Sequence, residues 1–182
     1  MSENSPIKDA LYAKIDSLGQ NQIHELLSKG KFLEVFEKIY EPVIDNIYDI
    51  DEYVKHGTLA ESLTHYLFTE MLIPSQRKIT FEDIDLDMII PNTIELQKDS
   101  HNAIMIFFVK TSDIQQIKQR IQDIKKIQKD DANIWVISKD DIEIPQSTYK
   151  TKKESFSIFL KDAQNFIKTK KMNKLNIFKT KA

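Results

Sequence analysis

The chain has 182 residues, of which 41% are hydrophobic and 30% are charged, and its formal net charge at pH 7 is −2. This length and balance are typical of an ordinary globular protein with one proper core. No apolar run approaches the roughly 20 residues that cross a bilayer, and residues 1–9 lack the apolar stretch of a secretory signal. The absence of cysteine excludes disulfides, zinc–thiolate sites and thiol nucleophiles. We therefore expect a cytoplasmic protein without membrane association.

The N-terminal third reads as a series of short helices. All three glycines of the chain, Gly19, Gly30 and Gly57, follow helical patterns, and we expect each to end a helix in the left-handed conformation. Pro42 should bend or restart the third of these helices. We predict that residues 1–56 form a helical extension packed on the core. The predicted helices cover residues 6–18, 20–29, and 32–40 with a continuation toward residue 54.

The pattern changes after Gly57. Thr58 can cap a helix that runs to about residue 73, where Pro74 stops it. Three strands then follow at short spacing and are best interpreted as an antiparallel meander. Ser112 and Asp113 offer caps for a helix to about residue 130, whose apolar stripe consists entirely of isoleucines. The predicted strands cover residues 76–81, 84–90, 103–109 and 133–137, and a last helix covers residues 153–168.

This order of elements predicts an α/β fold with a mixed sheet covered by helices on both faces. The strand–helix–strand step from residue 103 to residue 137 should form a right-handed parallel crossover. We assign residues 57–170 to the α/β core and residues 171–182 to a basic tail.

Charged residues inside apolar strands are the most informative feature of this core. Asp85 and Asp87 interrupt the second strand, and Lys110 closes the third. Burying such groups is costly unless they are paired or belong to a site. Strand alternation places Asp85, Asp87 and Ile89 on one face, so Asp87 and Lys110 can meet if the two strands pair. Glu61 on the preceding helix could face them.

These residues and the order αβββαβ resemble the PD-(D/E)xK nuclease-like superfamily, over about residues 58–139. The resemblance implies a restriction-endonuclease-like core. Glu61 then corresponds to the helix acid, Asp87 to the strand acid and Lys110 to the motif lysine. In that superfamily the carboxylates hold Mg²⁺ or Mn²⁺, and the lysine orients or activates the attacking water. The resemblance therefore implies Glu61 and Asp87 as metal ligands, with catalysis by Asp87, Lys110 and Glu61.

One position departs from the family pattern. Phe108 stands where the motif Asp/Glu-x-Lys has its acidic residue, so a phenyl ring replaces a metal ligand. Asp85 is the first candidate for a ligand that has moved. Each acid also has a purely structural interpretation: Glu61 could close a capping box with Thr58, Asp87 and Lys110 could form only a cross-strand ion pair, and Asp85 could lie at a strand edge in water. His65, four residues after Glu61, could assist as an acid or base.

The C-terminal end of the chain is basic. Residues 149–182 carry ten lysines against Glu154 and Asp162, a local net charge of +8, which leaves −10 on the first 148 residues. Such a segment can contact phosphates, although a solvated lysine-rich tail has the same composition. The candidate nucleic-acid contacts are Lys168, Lys170, Lys171 and Lys174.

Three functions fit this sequence. The first is a nuclease-fold protein with a degraded metal site that acts as a nucleic-acid-associated or protein-interaction module. The second is an active nuclease that uses Mg²⁺ or Mn²⁺ through a migrated carboxylate. The third is an unrelated α/β scaffold that forms a homodimer through the isoleucine stripe or the aromatic C-terminal helix.

Overall fold

The computed structural model describes the backbone of residues 5–180 and the side chains of residues 5–171. The N-terminal helices follow the predicted pattern, and Gly19 and Gly30 have φ values of +82° and +66° as expected for residues between helices. Within the described residues, no helix is both long and apolar enough to span a bilayer. The helices of this region are α1 (Pro6–Leu18), α2 (Gln20–Ser28), α3 (Phe32–Val35) and α4 (Glu41–Ile44).

The predicted continuation of the third helix toward residue 54 is wrong. Between α3 and α4 the backbone forms one π-helical turn, Phe36–Tyr40, and α4 ends at Ile44. Pro42 explains the wider turn, because it has no amide hydrogen to donate and its ring crowds the carbonyl four residues earlier. The loop 45–51 then separates these helices from the next one.

Helix α5 (Glu52–Glu70) begins earlier than the sequence predicts. Its N-cap is Asp51, whose side chain accepts hydrogen bonds from the amides of Tyr53 and Val54. Gly57 and Thr58 therefore lie inside the helix, and the predictions of a glycine cap and a threonine cap at these positions are wrong. The expected boundary after residue 56 also falls within α5, so the N-terminal extension and the core share this helix.

A five-stranded mixed sheet confirms the α/β class. The strands follow each other in chain order across the sheet; the first three pair antiparallel, whereas the third, fourth and fifth pair parallel. The antiparallel meander of the first three strands and the parallel pairing of the third strand with the fourth are as predicted. The fifth strand was not predicted. The strands are β1 (Gln76–Phe81), β2 (Ile84–Ile90), β3 (Ile104–Phe108), β4 (Ile134–Ser138) and β5 (Ser147–Lys150).

Helices cover both faces of the sheet. Helices α1 to α5 and α8 (Lys153–Thr180) bury one face, and the short α6 (Thr93–Lys98) and α7 (Ile114–Ile124) cover the other. The N-cap of helix α7 is Asp113, one of its two predicted caps, and the helix ends six residues before the predicted end. Helix α8 continues beyond residue 168 into the predicted basic tail. The isoleucine stripe of α7 is buried against the sheet at Ile117, Ile121 and Ile124, and this burial argues against a dimer formed through the stripe.

In β1 and β2, the alternation of side chains between the two faces of the sheet is interrupted at one position of each strand. Ile84 and Leu86 pack in the same cluster as Ile89, whereas Met88 and Ile90 pack on the opposite face. The uniform alternation predicted for β2 is therefore wrong. The two positions of β1 next to Lys78 pair with the two positions of β2 next to Asp87. The φ of Lys78 is +50°, which is in the left-handed region. This local reversal lets both strands switch faces together.

A buried polar cluster joins the N-terminal helices to the core. His56 Nδ1 lies 2.8 Å from the hydroxyl of Tyr40 and 3.1 Å from Oγ1 of Thr151, and its Nε2 lies 3.6 Å from a carboxylate oxygen of Glu52. Burial is the main cause that lowers the pKa of His56. The charge of Glu52 opposes this effect, and Lys139 adds to it.

This cluster predicts a loss of stability in mild acid. Because the folded state lowers the pKa of His56 below its ordinary value of 6.5, folding favours the neutral ring. The contribution is complete above pH 6.5 and falls as the pH decreases below that value. We expect the free energy of unfolding, measured with urea from pH 7.5 to pH 5.5, to decrease less in His56→Gln than in the wild type. Equal slopes in both proteins would contradict this assignment.

Candidate functional site

Gly57 allows the end of β3 to approach α5 closely. A Cβ atom built on Gly57 would lie 2.3 Å from the carbonyl oxygen of Val109 and 2.7 Å from Cγ of Lys110. The amide of Val109 is in turn held by the carbonyl of Ile137 in β4, at 2.9 Å. Glu61 lies one turn after Gly57 on the same face of the helix. The missing side chain at position 57 therefore brings Lys110 to Glu61.

Glu61 is the centre of a buried ion cluster. Its side chain is 2% exposed; Oε2 accepts a hydrogen bond from Lys110 Nζ at 2.5 Å, and Oε1 accepts one from Arg77 Nε at 2.8 Å. Burial raises the pKa of Glu61, but Lys110 and then Arg77 outweigh burial and bring the pKa below its ordinary value. The capping-box interpretation is wrong, because both carboxylate oxygens bind cations from other elements.

Asp87 lies where the ladder between β2 and β3 ends. The last pair in that direction is Met88 with Ile106, and beyond it Asp87 Oδ2 accepts a hydrogen bond from the amide of Phe108 at 2.9 Å. The side chain thus replaces a backbone acceptor. Burial is the main cause that raises the pKa of Asp87; the Phe108 amide and the charge of Lys110 act against it without cancelling it.

The expected ion pair between Asp87 and Lys110 is replaced by other pairs. Lys110 bonds to Glu61, and the nearest cation of Asp87 is Arg120 in α7, at 3.8 Å from Oδ1. Arg120 also donates to the backbone carbonyl of Asp85. Glu61 and Lys110 nevertheless lie close enough to Asp87 to alter its pKa. The structure therefore brings together the three residues that the sequence singled out.

Asp85 lies outside this cluster. Its side chain is exposed and accepts a hydrogen bond from Thr80 Oγ1 at 2.6 Å, on the neighbouring edge strand. This position agrees with the expectation of an aspartate at a strand edge in water. Among the side chains of residues 5–171, no group of three carboxylate, imidazole or thiol side chains is arranged to hold a metal ion.

The residues of the cluster do not fit a divalent metal. Mg²⁺ requires several oxygen ligands in near-octahedral geometry. Both oxygens of Glu61 are occupied by side-chain cations, and one oxygen of Asp87 is held by an amide. Phe108, where the resemblance implies a third ligand, is 1% exposed and belongs to the core on the α5 face. A metal would have to displace Arg77 and Lys110 and would still lack a third carboxylate.

Sequence reasoning missed three cations of this site. Arg77 reaches Glu61 because of the face reversal in β1, Lys78 occupies the reversed position itself, and Arg120 reaches across from α7. A strand beginning with Gln-Arg-Lys beside a strand with two aspartates was a usable signal of charge pairing. The position of Arg120 in α7 gave no comparable signal of charge pairing, because Arg120 lies among other basic residues of that helix.

His65 borders the cluster on α5. Burial is the main cause that lowers its pKa, followed by the charge of Arg77, whereas Glu61 acts in the opposite direction. Its Nδ1 is buried and has no hydrogen-bond partner among the described residues. The folded state therefore favours the neutral form of the His65 ring. The ring lies one helical turn after Glu61, as their spacing of four residues predicts.

The predicted C-terminal contacts lie elsewhere. Lys170 donates to Asn102 Oδ1 at 2.9 Å, and Asn102 precedes β3, whereas Lys110 follows β3. At about 3.3 Å per residue, the five residues of β3 alone separate these two positions by roughly 15 Å. Lys168 and Lys171 are exposed on the same helix. Lys174 lies outside the described side chains. The basic end of the chain thus forms a surface separate from the Glu61 cluster.

Comparison with known proteins adds no family to this description. No family model matches the chain, and neither the curated proteins nor the solved structures contain a significant match to it.

Proposed function

We propose that this protein has a nuclease-like core in which side-chain cations have replaced the metal, and that it acts as a nucleic-acid-associated module. The element order α5-β1-β2-α6-β3-α7-β4 supports the nuclease-like assignment, because apart from the short α6 it agrees with the order αβββαβ of the superfamily that the sequence resembles. Glu61, Asp87 and Lys110 lie at the expected points of that order. The fifth strand and the N-terminal helices are additions to it.

One observation carries the proposal: both oxygens of Glu61 are bound by Arg77 and Lys110. In a metal-dependent nuclease this carboxylate would face a divalent cation. Here a guanidinium and an ammonium group supply two positive charges at the same carboxylate. Such a site can neutralise a phosphate directly with side-chain cations, whereas a metal-dependent nuclease uses its metal ion to activate water.

The charge of the cluster is suited to a phosphodiester. Glu61 and Asp87 contribute two negative charges, and Arg77, Lys110 and Arg120 contribute three positive ones. Lys78 is exposed beside them and adds a fourth. The resulting formal charge of about +2 favours anions on a chain whose first 148 residues are otherwise acidic.

Calorimetric titration of Mn²⁺ into the protein tests the absence of a metal site, with Asp87→Ala as the matched control. We expect no saturable heat up to millimolar Mn²⁺ in either protein. Fluorescence anisotropy with labelled oligonucleotides tests the second half of the proposal. We expect binding that does not require metal and that weakens as salt increases. Lys168→Gln combined with Lys171→Gln separates the contribution of α8 from that of the Glu61 cluster.

Two results would overturn the proposal. Saturable Mn²⁺ binding that disappears in Asp87→Ala, together with metal-dependent cleavage, would establish an active nuclease. No affinity for any nucleic acid, combined with a mass that rises with protein concentration, would favour an interaction scaffold instead.

A further inference from the structure

A cavity of about 320 Å³ lies at the carboxyl ends of the parallel strands β3 and β4. Ser138, the last residue of β4, lines it, as does Ser112 in the turn between β3 and α7. One wall is the start of α7, and the other is the segment 139–146, which returns from the end of β4 to the start of β5. Ligands of open α/β sheets bind outside the carboxyl ends of the strands, in cavities of this size. The position and the volume of this cavity are therefore those of a small-molecule site.

The charges around the cavity favour a cation. Its lining contains one lysine, Lys118, and three acidic residues, which are Asp140, Asp141 and Glu143. A phosphate in such a place usually binds to the backbone amides at a helix N-terminus. At the start of α7, however, the side chain of Asp113 already accepts hydrogen bonds from the amides of the first turn. This carboxylate repels an anion at the helix end, and the three acidic residues attract a cation instead.

Two residues that line the cavity already hold an ammonium group of the chain itself. Lys139 Nζ lies 5.6 Å from the centroid of the Tyr53 ring and 3.6 Å from Oδ1 of Asp140. The Tyr53 hydroxyl donates to Asp140 Oδ2 at 2.6 Å, which fixes the ring beside the carboxylate. An aromatic face attracts ammonium groups, and a neighbouring carboxylate adds to this attraction. The contact with Lys139 identifies the class of cation that these two residues accommodate.

Isoleucines give the cavity an apolar surface between its polar groups. Ile114 and Ile117 of α7 and Ile142 of the returning segment all line it. Ile117 belongs to the buried core of this face, and Ile142 packs partly against the same core. An alkyl chain gains free energy by covering such a surface, whereas a hydrated inorganic ion does not. Among the side chains of residues 5–171, moreover, these carboxylates form no group that could hold a metal ion. The cavity thus favours an organic cation with methylene groups.

We propose that this cavity binds a linear aliphatic polyamine. The methylene groups of the ligand lie on the isoleucines, and its ammonium groups bind the carboxylates. Within the part of the chain whose side chains are described, Glu143 makes no hydrogen bond or ion pair, so its carboxylate is available to the ligand. Asp140 and Asp141 also pair with lysines of the chain, but their side chains are 52% and 85% exposed, and such pairs contribute little. A ligand with several ammonium groups can share both carboxylates.

Calorimetric titration of spermidine into the full chain, at low and at physiological salt, tests this proposal. We expect one saturable site per chain that weakens as salt increases. Glu143→Gln should weaken the binding of spermidine about 5-fold. Ile142→Ser should weaken it as well, because the variant keeps every charge and removes apolar surface. Glu82→Gln is the matched control, since Glu82 is exposed in the turn between β1 and β2 and should leave the affinity unchanged.

A second titration, with N-acetyl-lysine amide, distinguishes a polyamine from the lysine side chain of a protein partner. We expect this single ammonium group to bind at least about 10-fold more weakly than spermidine. Equal affinity for the two ligands would assign the cavity to a lysine side chain and would overturn the proposal.

Two further results would overturn it. One is the absence of saturable heat with spermidine, and the other is binding that neither Glu143→Gln nor Ile142→Ser changes. Circular dichroism shows whether each variant is folded, and the exposed Glu143 keeps the test decisive if Ile142→Ser does not fold. The inference is independent of the proposed nucleic-acid function, because it uses no residue of the Glu61 cluster.

Discussion

Glu61→Gln is expected to reduce the free energy of unfolding by about 3 kcal/mol, because it leaves Arg77 and Lys110 without their shared anion. Removing one partner of a buried ion pair costs roughly 3–5 kcal/mol. We expect the lower end of that range, since the Lys110 side chain is 36% exposed and water screens it in part. For a protein of this size, the midpoint of thermal unfolding should fall by about 6–12 °C.

A surface ion pair provides the control for Glu61. Glu34 pairs with Lys31 at 2.8 Å, and their side chains are 39% and 48% exposed. Glu34→Gln should therefore lower the midpoint of thermal unfolding much less than Glu61→Gln does. The triple variant Glu61→Leu, Arg77→Leu and Lys110→Met removes Glu61 together with both cations bound to it and should be more stable than Glu61→Leu alone. If the triple variant is the less stable of the two, stranded charge is not the cause of the loss.

Acid should affect the same cluster. The folded state lowers the pKa of Glu61 below its ordinary value of 4.5, so its contribution to stability is complete above pH 4.5. The contribution decreases as the pH falls through the lower pKa of the folded state. We expect the difference in stability between the wild type and Glu61→Gln to be constant from pH 5 to pH 7 and to shrink below pH 4.5. Urea unfolding at each pH measures it.

Gly57→Ala is expected to destabilise the protein by about 2–3 kcal/mol, although alanine is the better residue in an isolated helix. Helix propensity favours the alanine by roughly 0.5–1 kcal/mol. The added Cβ would lie 2.3 Å from the carbonyl oxygen of Val109, and Val109 cannot move without disturbing the hydrogen bond that its amide donates to the carbonyl of Ile137. Overpacking of this kind typically costs about 1–3 kcal/mol and occasionally more. The steric effect therefore outweighs the helix propensity.

Gly30→Ala is the matched control for Gly57→Ala. A Cβ at Gly30 would meet nothing within 4 Å, but the φ of +66° costs an alanine about 1 kcal/mol. We expect a smaller decrease in the thermal midpoint for Gly30→Ala, with no change in nucleic-acid affinity. Gly57→Ala should also weaken binding, because it displaces Lys110 from Glu61. A stabilised Gly57→Ala variant would exclude the close approach of β3 to α5.

Local patterning was sufficient to predict most elements of the fold. The continuous apolar runs of β3 and β4 are typical of buried strands, and the isoleucines of α7 recur at helical spacing. The strand β5 was missed because it is short and polar. The start of α5 was missed because Gly57 imitates a helix end in sequence, whereas its function is a contact 52 residues away with Val109.

The sequence by itself determined the α/β class, the mixed sheet and the three charged residues Glu61, Asp87 and Lys110, because periodicity and a charge inside an apolar strand are visible locally. Only the tertiary structure decided which charges pair. Glu61 and Lys110 are separated by 49 residues, and Arg77 reaches Glu61 through a backbone reversal that no residue pattern announces. Pairing depends on distances across the fold, and these distances follow from packing rather than from the order of residues.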